Sequence, residues 1–412
     1  MNLKKIKLNI IASTQPTYEK DLGEQDSTKL ISQYNLYSGL IARNCVTTKS
    51  FNEILMEDTA KSLSRAENVK ESGHHSVFDH EYLTFEIDNL SKAFAMVLNN
   101  EKFYNTTEKS MRYTVNYDNM TNEEKELYIK WQAYFEKLIA DKYQADYPNF
   151  FTDAKIRKLA LENARYLLSI YSPTSMVYTT SVRQLNYLYN FLNKEIENEE
   201  SNAFYRQLKP SFEQFNSELE RYGIIDEKLM EDNKGRKLSL YNDYKAKEYY
   251  GDVYLTNYEA SFACLAQAHR HRTLSYSFSL AKELKYYCPP ILKMNEELVK
   301  EWLRDCEYAQ SLTNKDIDYN LPQATLVNVT ESGTLDNFIL KMKERKCTFA
   351  QLEINNKTNG ILNAYQKELS KANHPRAEEL ATYQKGARCT FNDYKCTNNC
   401  KFKEGINETR QI

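Results

Sequence analysis

Residues 73–87 read Gly-His-His-Ser-Val-Phe-Asp-His-Glu-Tyr-Leu-Thr-Phe-Glu-Ile, a polar turn that runs directly into an alternating segment. Leu83, Phe85 and Ile87 alternate with polar residues, which is the pattern of a half-buried strand. After this strand, apolar residues recur at helical spacing in a short stretch that opens at Ser91. The sequence therefore predicts a strand followed by a short helix, with several hydrogen-bonding side chains just before the strand.

The same order of elements recurs in the second half of the chain. Tyr254-Leu255-Thr256 repeats the strand start Tyr82-Leu83-Thr84, and Ser261 again opens a helical stretch. We therefore predict two diverged copies of one unit, joined by a charge-dense polar linker and followed by a Cys-rich tail. The predicted segments are a first copy at residues 1–222, a linker at 223–252, a second copy at 253–372 and a tail at 373–412.

A longer helix is predicted to begin at Thr121. Thr121 and Glu124 have the spacing of a capping box. An apolar stripe follows at helical spacing, formed by Leu127, Trp131, Phe135 and Leu138.

Composition and charge exclude several classes of protein. The chain has 412 residues, with 55 Lys and Arg against 57 Asp and Glu, a net charge of −2 that argues against a nucleic-acid binder. No apolar run approaches the roughly 20 residues that a membrane helix needs. The apolar stretch near Met1 is too short for a signal peptide. We expect a soluble, cytoplasmic protein with neither a nucleic-acid nor a membrane partner.

Five of the six histidines fall in two short stretches, residues 73–80 and 269–272. The first stretch could line a cofactor pocket, hold a metal through His-x5-His plus Asp, or form a polar turn whose histidines bond to the backbone. The second contains Arg270-His271-Arg272 at the end of a predicted helix. It could be a solvated helix end, where cations are favoured, or a binding site for an anion.

Two further groups of residues suggest binding. Ser110 and Arg112 alternate along an extended segment, so that a hydroxyl and a guanidinium could converge on one phosphate. Near the end of the chain, three cysteines could hold a structural zinc ion together with His374 or Cys347, or could form a loose tail of reduced thiols. These cysteines are Cys389, Cys396 and Cys400.

Read together, these pieces resemble the flavin-dependent thymidylate synthases. Residues 73–80 resemble the family's Gly-His-x-Ser/Thr-x-x-Glu-His stretch, with Asp79 for the usual Glu, and Thr84-Phe85 resembles the strand that follows. Further along, Ala164-Arg165 and Ser181-Val182-Arg183 resemble the family's Ala-Arg-x-x-Leu-Pro and Asn-x-Arg elements.

The two copies lack complementary parts of this pattern. The first copy has Asn100-Glu101-Lys102 in place of the family's Arg-His-Arg triplet, whereas the second has Leu280 and Lys282 in place of the later Ser and Arg. The first copy keeps Glu108, Ser110, Arg112 and Tyr113. The second copy keeps Gln267, Arg270, His271 and Arg272, then Leu321-Pro322 and Arg345-x4-Ala350-Gln351-Leu352-Glu353-Ile354.

The resemblance implies an α+β fold made of two copies, each a mixed or antiparallel sheet flanked by helices. It also implies sites shared between copies, because family members are homotetramers whose active sites lie between subunits. A homodimer of the fused chain would rebuild a pseudo-tetramer, with nucleotide-binding residues from the first copy and the Arg-His-Arg loop from the second.

The activity that the resemblance implies is reductive methylation of dUMP to dTMP. Methylenetetrahydrofolate gives the carbon, NADPH the electrons, and FAD carries the hydride. A related flavoenzyme that acts on another deoxypyrimidine monophosphate or leaves a hydroxymethyl group, and a non-catalytic nucleotide-binding relative, remain alternatives. By resemblance, the residues for dUMP are Gln267, Glu108, Ser110, Arg112, Arg165 and Arg345, of which Arg165 and Arg345 are the catalytic arginines. Those for FAD are His74, Ser76, Asp79, Ser181, Arg183, Arg270, His271 and Arg272.

Overall fold

The computed structural model describes residues 5–14, 30–112, 117–230, 236–313 and 317–412. Tyr113 and residues 231–235 of the predicted linker lie outside this range. The strands are β1 (Lys7–Ser13), β2 (Tyr82–Ser91), β3 (Asn105–Glu108), β4 (Pro173–Ser181), β5 (Tyr249–Tyr250), β6 (Val253–Ser261), β7 (Ser275–Leu280) and β8 (Leu326–Thr334). The α-helices are α1 (Leu30–Asn44), α2 (Phe51–Leu55), α3 (Thr59–Glu71), α4 (Lys92–Leu98), α5 (Asn122–Ile139), α6 (Asp153–Ala164), α7 (Val182–Glu197), α8 (Ala203–Arg206), α9 (Lys209–Arg221), α10 (Glu227–Met230), α11 (Phe262–Ala268), α12 (Glu296–Ser311), α13 (Leu335–Arg345), α14 (Leu352–Lys371), α15 (Ala377–Thr382) and α16 (Lys403–Ile406).

The chain forms two compact units, each built from segments that are separate in sequence. The smaller unit comprises Asn2–Lys109 and Pro173–Leu238, and the larger unit comprises Ser110–Ser172 and Ser239–Ile412. Among the described helices, none combines the length and the apolar character needed to cross a membrane.

Each unit contains one four-stranded sheet, and the two sheets have the same strand order. The order is β1-β2-β4-β3 in the smaller unit and β5-β6-β8-β7 in the larger unit, and all neighbouring strands are antiparallel. Leu83, Phe85 and Ile87 are buried in β2, which confirms the predicted strand. The α+β fold class with antiparallel sheets and helices is confirmed.

The repeated strand and helix are built in the same way in both units. Ser91 at the end of β2 accepts a hydrogen bond from the backbone N–H of Phe94 at 3.1 Å. Ser261 at the end of β6 accepts one from the N–H of Cys264 at 3.0 Å. These two caps confirm both predicted helix starts. A serine cap of this kind stabilises a helix by about 1 kcal/mol.

The core of the larger unit joins helices from distant parts of the chain. α5 begins at the predicted capping box, in which the Thr121 hydroxyl accepts from the N–H of Glu124 at 3.1 Å. Its buried Trp131 packs edge to face against Trp302 of α12, with ring centroids 4.8 Å apart. Phe402 from the tail belongs to the same core. The compact units therefore divide the chain differently from the copies at residues 1–222 and 253–372, whose boundaries remain a prediction.

Candidate anion-binding site

Three arginines of the larger unit lie at the carboxyl ends of helices. Arg165 is the C-cap residue of α6, Arg345 is the last residue of α13, and Arg270 follows the end of α11 by two residues. The carboxyl end of a helix carries a partial negative charge, which favours a nearby cation by about 0.3–1 kcal/mol. The helix ends therefore offset part of the electrostatic free energy that it costs to place these positive charges together.

Backbone pairing joins the Arg165 segment of the first predicted copy to the second copy. The N–H groups of Gln323 and Ala324 donate to the carbonyl oxygens of Leu168 and Tyr166 at 2.8 and 2.7 Å. Ser169 and Pro322 form an isolated antiparallel bridge within the same pairing. The predicted Leu-Pro element of the second copy thus holds the segment that follows Arg165.

Arg112 completes a group of four arginines, which we call the arginine cluster: Arg112, Arg165, Arg270 and Arg345. The Arg112 Nε donates to the carboxylate of Glu162, and its Nη2 donates to the carbonyl oxygen of Phe349 at 3.1 Å. Arg165 is 5% exposed, and its Nε donates to the main-chain oxygen of Glu162 at 3.1 Å. The buried Nη2 of Arg165 has no hydrogen-bond partner among the described residues.

Arg112 and Arg270 lie close enough to Arg165 and Arg345 for their charges to affect the ionisation of the latter two. Burial lowers the pKa of Arg165, and the charges of Arg112 and Arg270 lower it further. Burial likewise lowers the pKa of Arg345, again with contributions from Arg270 and Arg112. The pair between Arg112 and Glu162 is the one ion pair that the cluster makes within the described part of the chain. An excess of positive charge of this kind favours binding of an anion such as a phosphate.

His271 of the Arg-His-Arg triplet positions an arginine. The Arg345 Nε donates to His271 Nε2 at 2.6 Å, so that ring nitrogen carries a lone pair. Burial, together with the charge of Arg345, lowers the pKa of His271 to about 2. His271 is therefore neutral, and its predicted contact with FAD remains a prediction.

A buried chain of hydrogen bonds connects Gln267 to the strand–helix junction of the second copy. Gln267 donates to the side-chain oxygen of Gln351, and Gln351 Nε2 donates to the Tyr166 hydroxyl at 2.5 Å. Tyr166 donates to Glu353 at 2.7 Å, and Glu353 accepts from the Ser261 hydroxyl at 2.6 Å. Gln267 takes part in this chain through its amide N–H₂ group. Its buried Oε1 has no partner among the described residues.

Glu108 and Ser110, predicted together as dUMP ligands, fall in different compact units. Ser110 lies in the larger unit, and its Oγ accepts from the backbone N–H of Arg112 at 3.4 Å. Glu108 lies in the smaller unit, where it accepts from Lys92 Nζ at 2.7 Å. Glu162 and Tyr166 were not singled out in the sequence, although both flank the predicted Arg165.

Three of the predicted flavin residues of the smaller unit form a polar group with Tyr187, which we call the Asp79 cluster: Asp79, Ser181, Arg183 and Tyr187. Asp79 accepts from the Ser181 hydroxyl at 2.8 Å and from Arg183 Nη1 at 2.6 Å. Arg183 Nε also donates to the Tyr187 hydroxyl at 2.7 Å. Ser181, which stands where the family has Asn, therefore makes a hydrogen bond to Asp79.

The histidine stretch before β2 is a turn with both buried and exposed side chains. Gly73 has a φ of 76°, a conformation that favours glycine, and it follows the end of α3. His75 is buried and its Nε2 lies 2.8 Å from the Lys70 carbonyl oxygen, whereas His74 and Ser76 are exposed. The polar-turn interpretation therefore holds for His75, and the other two side chains remain accessible.

The predicted zinc site is not formed. Within the described residues, no group of three His, Cys, Asp or Glu side chains is arranged to hold a metal ion, which also excludes the His-x5-His interpretation there. Burial, with the neighbouring Cys400 and Cys396, raises the pKa of Cys389 and favours its thiol form. Cys400 lies 3.3 Å from the Thr348 hydroxyl. The three cysteines form no disulfide, but the tail around them is packed and not loose, since Phe402 lies in the core.

These features define a protein with two related α+β units and a strongly cationic site. A match to a sequence model identifies its protein family. A sequence model of the thymidylate synthase complementing proteins matches residues 34–215 and 253–369. These matches cover more than half of the chain, which therefore belongs to this family. The two separate matches agree with the predicted tandem fusion of two diverged copies.

Individual relatives are distant. The flavin-dependent thymidylate synthases of Pyrococcus furiosus and Pyrococcus abyssi are each 26% identical over 153 residues, 35% of this chain and 58% of the relative. The chain thus spans 58% of the length of these curated relatives.

Solved structures of other proteins align with about half of the chain. A UMP/dUMP methylase from Streptomyces cacaoi bound to 5-bromo-dUMP is 12% identical, with a TM-score of 0.30, over 53% of this chain and 97% of that chain. Thymidylate synthase X from Helicobacter pylori, with FAD and dUMP, is 15% identical, with a TM-score of 0.31, over 54% of this chain and 99% of that chain.

Proposed function

We propose that this protein is an FAD-dependent thymidylate synthase that converts dUMP to dTMP in the cytoplasm, with methylenetetrahydrofolate and NADPH as cosubstrates. The observation that carries the proposal is the arginine cluster, in which four guanidinium groups make one ion pair among the described residues, that of Arg112 with Glu162. An anionic nucleotide would supply the missing negative charge, and the free Nη2 of Arg165 leaves a donor available to it.

The arginine cluster also supports the proposal that the site is shared between copies. Arg112 and Arg165 come from the first predicted copy, Arg270 and Arg345 from the second, and all four lie in the larger unit. One chain would therefore supply a composite site. A homodimer that rebuilds a pseudo-tetramer is part of the same proposal, and light scattering on the purified chain tests it.

The residues of the site have distinct proposed roles. Ser110 and Arg112 would hold the phosphate of dUMP, and the buried acceptor Oε1 of Gln267 suits the N3–H donor of a uracil ring. Arg165 and Arg345 would stabilise the negative charge that develops on the pyrimidine when its C5 attacks the methylene carbon. The hydrogen bond from Arg345 Nε to the neutral His271 holds that guanidinium and leaves its terminal N–H₂ groups available. Glu108 remains a proposed ligand.

Donors in each unit also suit FAD, which supplies hydride transfer when bound. In the smaller unit, His74 and Ser76 present exposed donors. In the larger unit, Arg270 is exposed, and its side chain makes no hydrogen bond or ion pair among the described residues. Such groups suit phosphate and ring oxygen atoms of a dinucleotide. The other residues proposed to hold FAD are Asp79, Ser181, Arg183, His271 and Arg272.

The first test is a flavin absorbance spectrum of the full chain with added FAD, followed by titration with dUMP. We expect bound flavin whose spectrum shifts with dUMP, and a product with the mass of dTMP in turnover assays. An R270Q variant should lose much of the shift, whereas R206Q, which removes an exposed arginine from α8, should keep it. Absence of both flavin and dUMP binding in the unaltered chain would contradict the proposal, and a product heavier by one oxygen would indicate a hydroxymethylase.

A further inference from the structure

The tail beyond the family match contributes a buried arginine to the larger unit. The second matched region ends at residue 369, whereas Arg410 is 7% exposed. Its Nη2 donates to the carbonyl oxygen of Ala350 at 2.7 Å, and its Nη1 donates to the main-chain oxygen of Ile412 at 2.7 Å. A hydrogen bond at the next residue also holds this segment in place: the N–H of Gln411 donates to the Tyr143 hydroxyl at 3.1 Å.

Arg410 is a buried cation that forms no ion pair with an Asp or Glu side chain in the described part of the chain. Burial lowers its pKa, and Glu162 is the carboxylate that most favours its charged form. Glu162 is already bonded to Arg112 of the arginine cluster. Burial also lowers the pKa of Lys155 to about 8, and the charges of Arg410 and Arg112 contribute in the same direction. The positive charge around Glu162 therefore extends from the arginine cluster to the tail.

Three consecutive residues connect Arg410 to the cluster. Phe349 accepts from Arg112 through its carbonyl oxygen, and Ala350 accepts from Arg410 in the same way. Gln351 accepts from Gln267 through its side chain. Arg410 thus holds the central residue of a segment whose two flanking residues contact proposed nucleotide ligands.

We propose that Arg410 is a positioning residue, through which docking of the tail fixes residues 349–351 and thereby orients Arg112 toward the phosphate and Gln267 toward the pyrimidine of a bound nucleotide. The inference rests on the anion-binding part of the proposed function. Because coupling between two sites is reciprocal, dUMP must then stabilise the docked tail to the same degree that the docked tail favours dUMP.

The test compares dUMP binding by the full chain and three variants, using calorimetry with FAD present. R410M should weaken binding about tenfold or more, the scale of a lost charged hydrogen bond, whereas R410K should restore much of the affinity because lysine can still donate to Ala350. R388M is the matched control, because Arg388 also lies in the tail but places its guanidinium over Tyr394, with 3.9 Å between its Cζ and the ring centroid. We expect its affinity to stay unchanged.

Two outcomes separate this inference from the proposed function. If the unaltered chain binds no dUMP, the proposed function fails. If it binds dUMP and a folded R410M binds it equally well, the role of Arg410 is overturned.

A second measurement covers the case in which R410M does not fold. In the unaltered chain, hydrogen exchange of the amides at 409–412 should slow when dUMP is added, and unchanged exchange there would overturn the coupling.

Discussion

Charge is balanced in the Asp79 cluster of the smaller unit but not in the arginine cluster of the larger unit. In the Asp79 cluster, one carboxylate faces one guanidinium, and Arg183 also donates to Tyr187. In the arginine cluster, the described residues show one ion pair, between Arg112 and Glu162, for four guanidinium groups, and the buried Nη2 of Arg165 has no partner among them. The comparison teaches that a site prepared for an anion is recognised by the charges it leaves unpaired, more than by the number of its polar residues.

The largest expected effect concerns the core that supports the arginine cluster. W302A should lower the free energy of unfolding of the larger unit by about 3–5 kcal/mol, because it leaves a large cavity against Trp131. The chain contains two tryptophans, Trp131 and Trp302, so the remaining fluorescence of Trp131 reports on this unit during urea denaturation. A loss below 1 kcal/mol would show that α5 and α12 do not depend on this contact.

The next prediction removes one cation from each cluster. R165M should weaken dUMP binding about 100-fold without lowering the free energy of unfolding, because it removes a buried charge that has no ion-pair partner in the described structure. R183M should leave dUMP binding within about threefold and should cost under about 1 kcal/mol of stability, because its partly exposed pair with Asp79 is a surface ion pair. Calorimetry and urea denaturation measure both quantities. Equal effects of the two variants on dUMP binding would remove the distinction between the clusters.

A pH effect is expected in the smaller unit, at Glu81. Burial raises the pKa of Glu81 to about 8, and its Oε2 has no partner among the described residues. Between pH 5 and pH 8 the unfolded chain has already released this proton while the folded chain retains it, so stability must fall as pH rises. We expect a loss of up to about 3.5 kcal/mol over this range, measured by hydrogen exchange of the β2 amides. E81Q should abolish the slope, and an unchanged slope in that variant would assign it to another group.

The smallest expected effect is a pH dependence of dUMP binding, through Lys155. With its pKa lowered to about 8, mainly by burial, Lys155 loses its charge above that pH, while the phosphate of dUMP stays fully ionised. The affinity for dUMP should therefore fall about fivefold between pH 7.5 and pH 9.5. K155M should bind dUMP with little change over the same range. A fall of equal size in K155M would indicate a different titrating group.

The elements that depend on local pattern were predictable from the sequence. Alternation at Leu83, Phe85 and Ile87 indicated β2, the capping box at Thr121 and Glu124 indicated the start of α5, and the repeated serine indicated two matching helices. These signals come from neighbouring residues, so no knowledge of the tertiary structure was needed. Motif resemblance led to the family, which the match of the two regions confirms.

Which residues meet was decided by the tertiary structure alone. Arg112 and Arg165 are separated from Arg270 and Arg345 by more than a hundred positions, and their proximity depends on packing of α5 and α6 within the larger unit. The contacts of Glu162 and Arg410 were not predictable either, because the sequence does not indicate which residue a carboxylate or a guanidinium will contact. The physical reason is that secondary structure follows from short-range periodicity, whereas charge balance in a buried site depends on contacts between distant segments of the chain.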